Sequence, residues 1–306
     1  MAELNEEKAR KFGSLEFKAN QVVEGFLTGL HKSPFHGFSV EFAEHRQYNR
    51  GDSTRHIDWK LYGRTEKLFI KKYEEETNLR CQILIDHSSS MYFPKVNADS
   101  EYSKISFAAN AAAALTSLLR KQRDAVGLSI FSNEIESFIP PRTSSVHMKE
   151  LFSQLEQLLN LKSTSATDTV STLHLIAERV HKRSLIVLFT DMFDSSGHKE
   201  EEIFRALQHL KYNKHEIILF HVLDHQLEVE FDFDNRPYTF VDMESGEKVK
   251  LNPRQVKTEY QKKISEYMKS LKLKCAQFKI DLVEADIRKG FDQILLNYLV
   301  KRSKMY

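Results

Sequence analysis

The chain has 306 residues, 41% hydrophobic and 29% charged, a globular balance that argues against disorder or low complexity. Lys+Arg 45 against Asp+Glu 43 leaves a formal net charge of +2, so there is no global pull toward nucleic acid or anionic membrane. Cys81 and Cys275 stand far apart and outside any metal-type spacing, which excludes a disulfide framework and suits a reducing, cytoplasmic setting.

In chain order, the opening MAELNEEKARKFGS is charged and lacks the apolar core of a secretion signal. Apolar residues then recur at helical spacing up to Ser33-Pro34, defining an N-terminal helical segment over 1–36. Residues 37–80 are polar, contain the only tryptophan, Trp59, and turn at Arg50-Gly51-Asp52. They read as a small strand-rich lobe. From Cys81 onward apolar strands alternate with amphipathic helices: strand 81–86, helix 104–122, a hairpin of 125–132 and 135–140, helices 145–160 and 166–183, strand 184–191, helix 198–214 and strand 216–224. A hairpin insertion follows at about 228–253, then a long helix, a last strand at 280–286 and a terminal helix. The apolar stretch from Ile105 to Leu119 is too short and too polar to span a bilayer. This alternation predicts an α/β domain over 81–306, with a mostly parallel sheet, one antiparallel edge strand and helices on both faces.

Two strands end on carboxylates. CQILID-HSSSM places Asp86, Ser88 and Ser90 at one tip, and LIVLFTD-MFD places Asp191, then Asp194, at another. Residues two apart in an extended chain point the same way, so Asp86, Ser88 and Ser90 can turn toward one point as the strand opens. Thr167, where a loop enters a helix, adds a third hydroxyl. Two carboxylates and three hydroxyls form a hard, all-oxygen set that suits Mg²⁺ or Mn²⁺ and not zinc or copper. The plain alternative is a serine-rich loop with Asp86 capping the next turn.

Asp86-His87-Ser88-Ser89-Ser90, Thr167 and Asp191 resemble the metal-ion-dependent adhesion site of von Willebrand factor A (vWA) domains. The preceding GFSVEFAEHRQYNRGDSTRHIDWKLYGRTEKLFIKKYEEETN resembles the bacterial domain-of-unknown-function 58 family, and the likeness runs from about Val22 to the terminal helix. That resemblance implies a vWA-like fold with a strand-rich N-terminal appendage, and a MoxR-type AAA+ ATPase as partner in protein-complex assembly. Many relatives carry two membrane helices that have no counterpart here. The glycine expected before Thr167 is Ala166, so Thr169 stays a rival ligand.

Arg46, Arg50, Asp52, Arg55, Asp58, Lys60 and Arg64 interleave opposite charges around Trp59. Such density forms either a structural ion-pair lattice or a partner-docking face. His87 is expected to point outward. No GxSxG elbow, P-loop or Cys/His pair accompanies the oxygen set, so the expected function is a non-catalytic, metal-dependent protein-binding module. The alternative is a Mg-dependent phosphohydrolase with Asp86 as nucleophile. Enzymes of that kind usually place a second Asp two residues on as general acid; here that position is Ser88.

Overall fold

The computed structural model describes residues 14–29, 41–49, 57–74, 79–94, 103–160, 169–192, 200–243 and 246–303. The chain divides into two compact units, Phe35–Leu79 and Met1–Pro34 with Arg80–Tyr306. The larger unit begins with helix α1 (Ser14–Gly29), which buries Leu15, Ala19, Val23 and Phe26, a single stripe at helical spacing.

The smaller unit pairs strands β1 (Glu41–Gln47) and β2 (Phe69–Glu74) antiparallel. Between them lies helix α2 (Trp59–Thr65), which the strand-rich reading of this stretch did not include. A seven-residue helix is too short to show periodicity, and Gly63 weakens its propensity. Asp58 starts it: its Oδ1 accepts from the backbone N–H groups of Lys60 (3.0 Å) and Leu61 (3.1 Å).

The larger unit continues through β3 (Arg80–Asp86), a 3₁₀ turn at Ser89–Tyr92, α3 (Lys104–Lys121), β4 (Ala125–Phe131), β5 (Ile135–Arg142), α4 (Ser145–Asn160), α5 (Thr169–Arg179) and β6 (Leu185–Thr190). After α6 (Glu200–Tyr212) and β7 (Glu216–Leu223) comes a wide π-type turn at His225–Val229, then the hairpin β8 (Tyr238–Val241) and β9 (Lys248–Leu251). Helix α7 (Pro253–Gln277), strand β10 (Asp281–Asp286) and helix α8 (Phe291–Ser303) complete it.

Six strands form one sheet in the order β10-β7-β6-β3-β4-β5, parallel throughout except for β5. This is the mostly parallel sheet with an antiparallel edge strand expected from the sequence. Pro140 and Pro141 are tolerated in β5 because an edge strand can forgo ladder hydrogen bonds. Leu84, Ile186, Leu188 and Leu219 on one sheet face pack with Leu173, Ile176, Phe204, Leu207 and Leu271 of α5, α6 and α7. Helices α3, α4 and α8 contact the sheet from the other side, and α1 packs outside α3. The alanine run of α3 is buried throughout, because small side chains let α3 lie close to both neighbours.

Gly127 in β4 marks a close approach. A Cβ there would stand 2.3 Å from Gln82 Oε1 and 2.6 Å from the Ile139 carbonyl oxygen. Among the described residues, no helix is long and apolar enough to cross a membrane.

Candidate metal centre

β3 is the first strand of the sheet in sequence, with β4 on one side and β6 on the other, so strand order reverses beside it. Crevices at such switch points, beyond the carboxyl ends of the strands, are where doubly wound sheets take ligands. Asp86 ends β3, and Thr190 and Asp191 stand at the end of β6. The register pairs Ile85 with Phe189, which brings the two tips level.

Asp86 is fully buried. Its Oδ1 accepts from the Ser88 backbone N–H at 2.9 Å and its Oδ2 from the Thr190 hydroxyl at 2.6 Å. The first bond turns the chain back at Ser88, and the Oγ atoms of Ser88 and Ser90 come to 2.9 Å from each other. Met91, fully buried, anchors the end of this turn. Burial, reinforced by the nearby charge of Asp191, pushes the Asp86 carboxyl up to about 7 against the hydrogen bonds from Thr190 and Ser88.

Asp191 is also fully buried. The Lys104 ammonium, at the first residue of α3 and 1% exposed, donates to Asp191 Oδ2 at 2.7 Å and to Glu228 Oε1 at 2.7 Å. Burial alone would lower the Lys104 pKa; the two carboxylates outweigh it and hold it above the ordinary lysine value. Burial likewise raises Glu228, against the pull of Lys104. His221 Nε2 donates to the Asp191 carbonyl at 3.0 Å, and burial pushes this imidazole down to about 4, so it is neutral.

His87 does not point outward as the sequence suggested. It is 5% exposed, with Nδ1 at 2.7 Å from Glu136 Oε2 on β5 and Nε2 at 2.7 Å from the Tyr92 hydroxyl. Its backbone N–H also donates to the Phe131 carbonyl at 2.7 Å, so the residue belongs to the packed seam between β3, β4 and β5. A residue immediately after a strand can turn to either face, and partners 5 and 49 positions away decide which.

Of the expected ligand set, Asp86, Ser88, Ser90 and Asp191 gather at these tips, while Thr167 lies outside the described residues, as does Asp194 further along the loop after β6. Thr169 is the first residue of α5. Of the charged set around Trp59, Arg50, Asp52 and Arg55 lie outside the described residues, as does the Arg46 side chain. Asp58 caps α2, while Trp59, Lys60 and Arg64 are exposed. Thr190, Lys104 and Glu228 were not singled out from the sequence. The Thr-Asp pair ending β6 was a signal for Thr190, but nothing local marks Lys104 or Glu228.

The donor chemistry fits a hard divalent cation: paired hydroxyls beside a carboxylate, with two buried carboxylates close enough to repel. Among the described residues, no three His, Cys, Asp or Glu side chains form a metal cluster, so any cation here would rely on the serine hydroxyls.

A family model described as protein of unknown function DUF58 matches residues 44–269. Two similar curated proteins are the uncharacterized proteins Rv1480 of Mycobacterium tuberculosis (strain ATCC 25618 / H37Rv) and Mb1516 of Mycobacterium bovis. Each is 24% identical over 211 residues, covering 69% of this chain and 63% of its own length. The chain thus spans less than two thirds of these relatives. Among solved structures, the conserved hypothetical protein BatB from Bacteroides thetaiotaomicron aligns at 16% identity and a TM-score of 0.42, over 74% of this chain and 100% of its own. A von Willebrand factor type A protein from Catenulispora acidiphila aligns at 15% identity and a TM-score of 0.34, over 49% of this chain and 34% of its own. The family match covers most of the sequence: the chain belongs to the DUF58 family.

Proposed function

We propose that this chain is a non-catalytic, divalent-metal-dependent protein-binding module that acts in the cytoplasm with a MoxR-type AAA+ ATPase during protein-complex assembly or maturation. The observation that carries the reading is the pair of serine hydroxyls, Ser88 and Ser90, 2.9 Å apart beside buried Asp86 at the switch point of the sheet. Asp86, Ser88, Ser90 and Asp191 would hold Mg²⁺ or Mn²⁺, with Thr167 or Thr169 as a further ligand. A hard cation so held offers an acidic side chain of a protein partner a coordination position. Both oxygens of Asp86 are engaged by Ser88 and Thr190, a poor starting point for a nucleophile and a good one for a fixed ligand.

The test is thermal and chemical denaturation with Mg²⁺ or Mn²⁺ against chelator, with affinity capture under the same two conditions. A metal at roughly 100 times its Kd should stabilise the wild type by about 2.7 kcal/mol. That gain and metal-dependent capture of the ATPase should both vanish in Asp86→Ala. Equal metal stabilisation of wild type and Asp86→Ala would dismiss the site. Steady turnover of a phosphate ester, lost in Asp86→Asn, would replace the reading with the hydrolase alternative.

A further inference from the structure

Lys104 occupies a costly position. It is 1% exposed, and it sits at the N-terminus of α3, where the helix dipole disfavours a cation. A buried charge persists only where partners compensate it. Two of its partners are a carboxylate of the candidate metal centre, Asp191, and one outside it, Glu228, each at 2.7 Å. Glu228 is itself firmly held. Its Oε2 accepts from the Asp224 backbone N–H at 2.7 Å, and its carbonyl accepts from the Tyr260 hydroxyl at 2.8 Å. Asp224 in turn accepts from Arg288 Nε at 2.7 Å and Nη2 at 3.0 Å.

We propose that Lys104 is a resident cation of the metal centre, competing with the divalent ion for Asp191, and that Glu228 sets the strength of this competition by sharing the ammonium. The inference rests on the metal reading above and adds to it the residues that tune affinity. The physical reason is the sign of the charges. An ammonium in contact with Asp191 repels a second cation bound to the same carboxylate, and low-polarity surroundings strengthen the repulsion. Glu228 draws part of that positive charge away from Asp191. Because Glu228 lies on the turn that leads into the β8–β9 hairpin, the insertion reaches the metal site through this contact.

Opposite signs separate this from a merely structural role. Removing the charge of Glu228 takes away one carboxylate that shares the ammonium with Asp191, so metal binding should weaken. Removing Lys104 as well takes the competing ammonium away from Asp191, so binding should become tighter, although a structural lysine would loosen the site when lost. The experiment is Mn²⁺ titration of the full chain, with free Mn²⁺ followed by electron paramagnetic resonance and folding checked by circular dichroism. Compared with wild type, Glu228→Gln should raise Kd about threefold or more, and the double variant Lys104→Met/Glu228→Gln should bind about tenfold more tightly than Glu228→Gln alone. Asp86→Asn should abolish binding in every background.

If wild type binds Mn²⁺ through Asp86 but the double variant binds no more tightly than Glu228→Gln, the role of Lys104 is overturned and the metal reading stands. Unchanged affinity in Glu228→Gln, which is nearly isosteric, overturns it equally, even should the double variant not fold. Absence of Asp86-dependent Mn²⁺ binding in the wild type overturns both.

Discussion

The hydroxyl of Thr190, at the end of β6, donates to the Oδ2 of Asp86, at the end of β3, across 2.6 Å and 104 positions of sequence. The same hydroxyl accepts from the Met192 backbone N–H at 3.0 Å, so one side chain ties together the two strand tips and the turn that follows Asp191. Thr190→Val keeps the shape and removes both bonds. A buried acceptor left without its donor costs about 1–3 kcal/mol, so urea denaturation should show a loss of that size. An unchanged midpoint would mean that the two tips are held by packing alone.

Stability should depend on pH through Asp86. Its carboxyl is raised from 3.8 to about 7, by burial first and by Asp191 second, so the folded chain keeps a proton that the unfolded chain has already released. The stability linked to this proton is fully present below about pH 4 and is lost as pH rises through about 7. In chelator, the wild type minus Asp86→Asn difference in unfolding free energy should therefore fall between about pH 4 and about pH 7. A difference that is flat over this window would contradict the raised value.

Gly127→Ala tests the crowding between β3, β4 and β5. The new Cβ would meet Gln82 Oε1 at 2.3 Å, the Ile139 carbonyl oxygen at 2.6 Å and Pro141 N at 2.8 Å. Two of these neighbours are backbone, which cannot swing aside. Overpacking of this kind costs about 1–3 kcal/mol, and a matching fall in melting temperature is expected. Gln82→Ala in the same chain should restore only part of the loss.

His87 and Glu136 should be energetically coupled. Their 2.7 Å contact links the loop after β3 to the edge strand β5, and burial at Glu136 is outweighed by bonds from His87 and Ser132 that hold its pKa below the usual carboxylate range. In a double-mutant cycle of His87→Gln and Glu136→Gln, the interaction term should be about 0.5–3 kcal/mol. Simple additivity would show that the contact contributes nothing.

Much of the architecture was readable from periodicity. Apolar runs such as CQILID and SLIVLFTD are buried strands, and Asn133-Glu134 lies in the turn between β4 and β5. Of the candidate metal centre, Asp86, Ser88, Ser90 and Asp191 were legible because each sits at or just past a strand end, where spacing of two constrains direction. Helix α2 escaped notice because its start depends on one Asp58 cap instead of a repeating apolar face.

The sequence by itself determined the alternation of strands and helices, and with it the two strand ends that carry carboxylates. Those features follow from local periods of 2 and 3.6, which any stretch of chain expresses without its neighbours. Only the tertiary structure decided that Lys104 meets Asp191 and Glu228, that Thr190 meets Asp86, and that His87 turns inward to Glu136. These contacts join residues 49 to 124 positions apart, and strand order and register bring them together. A buried lysine at the head of an alanine-rich helix looks like ordinary surface charge until the carboxylates opposite it are in place.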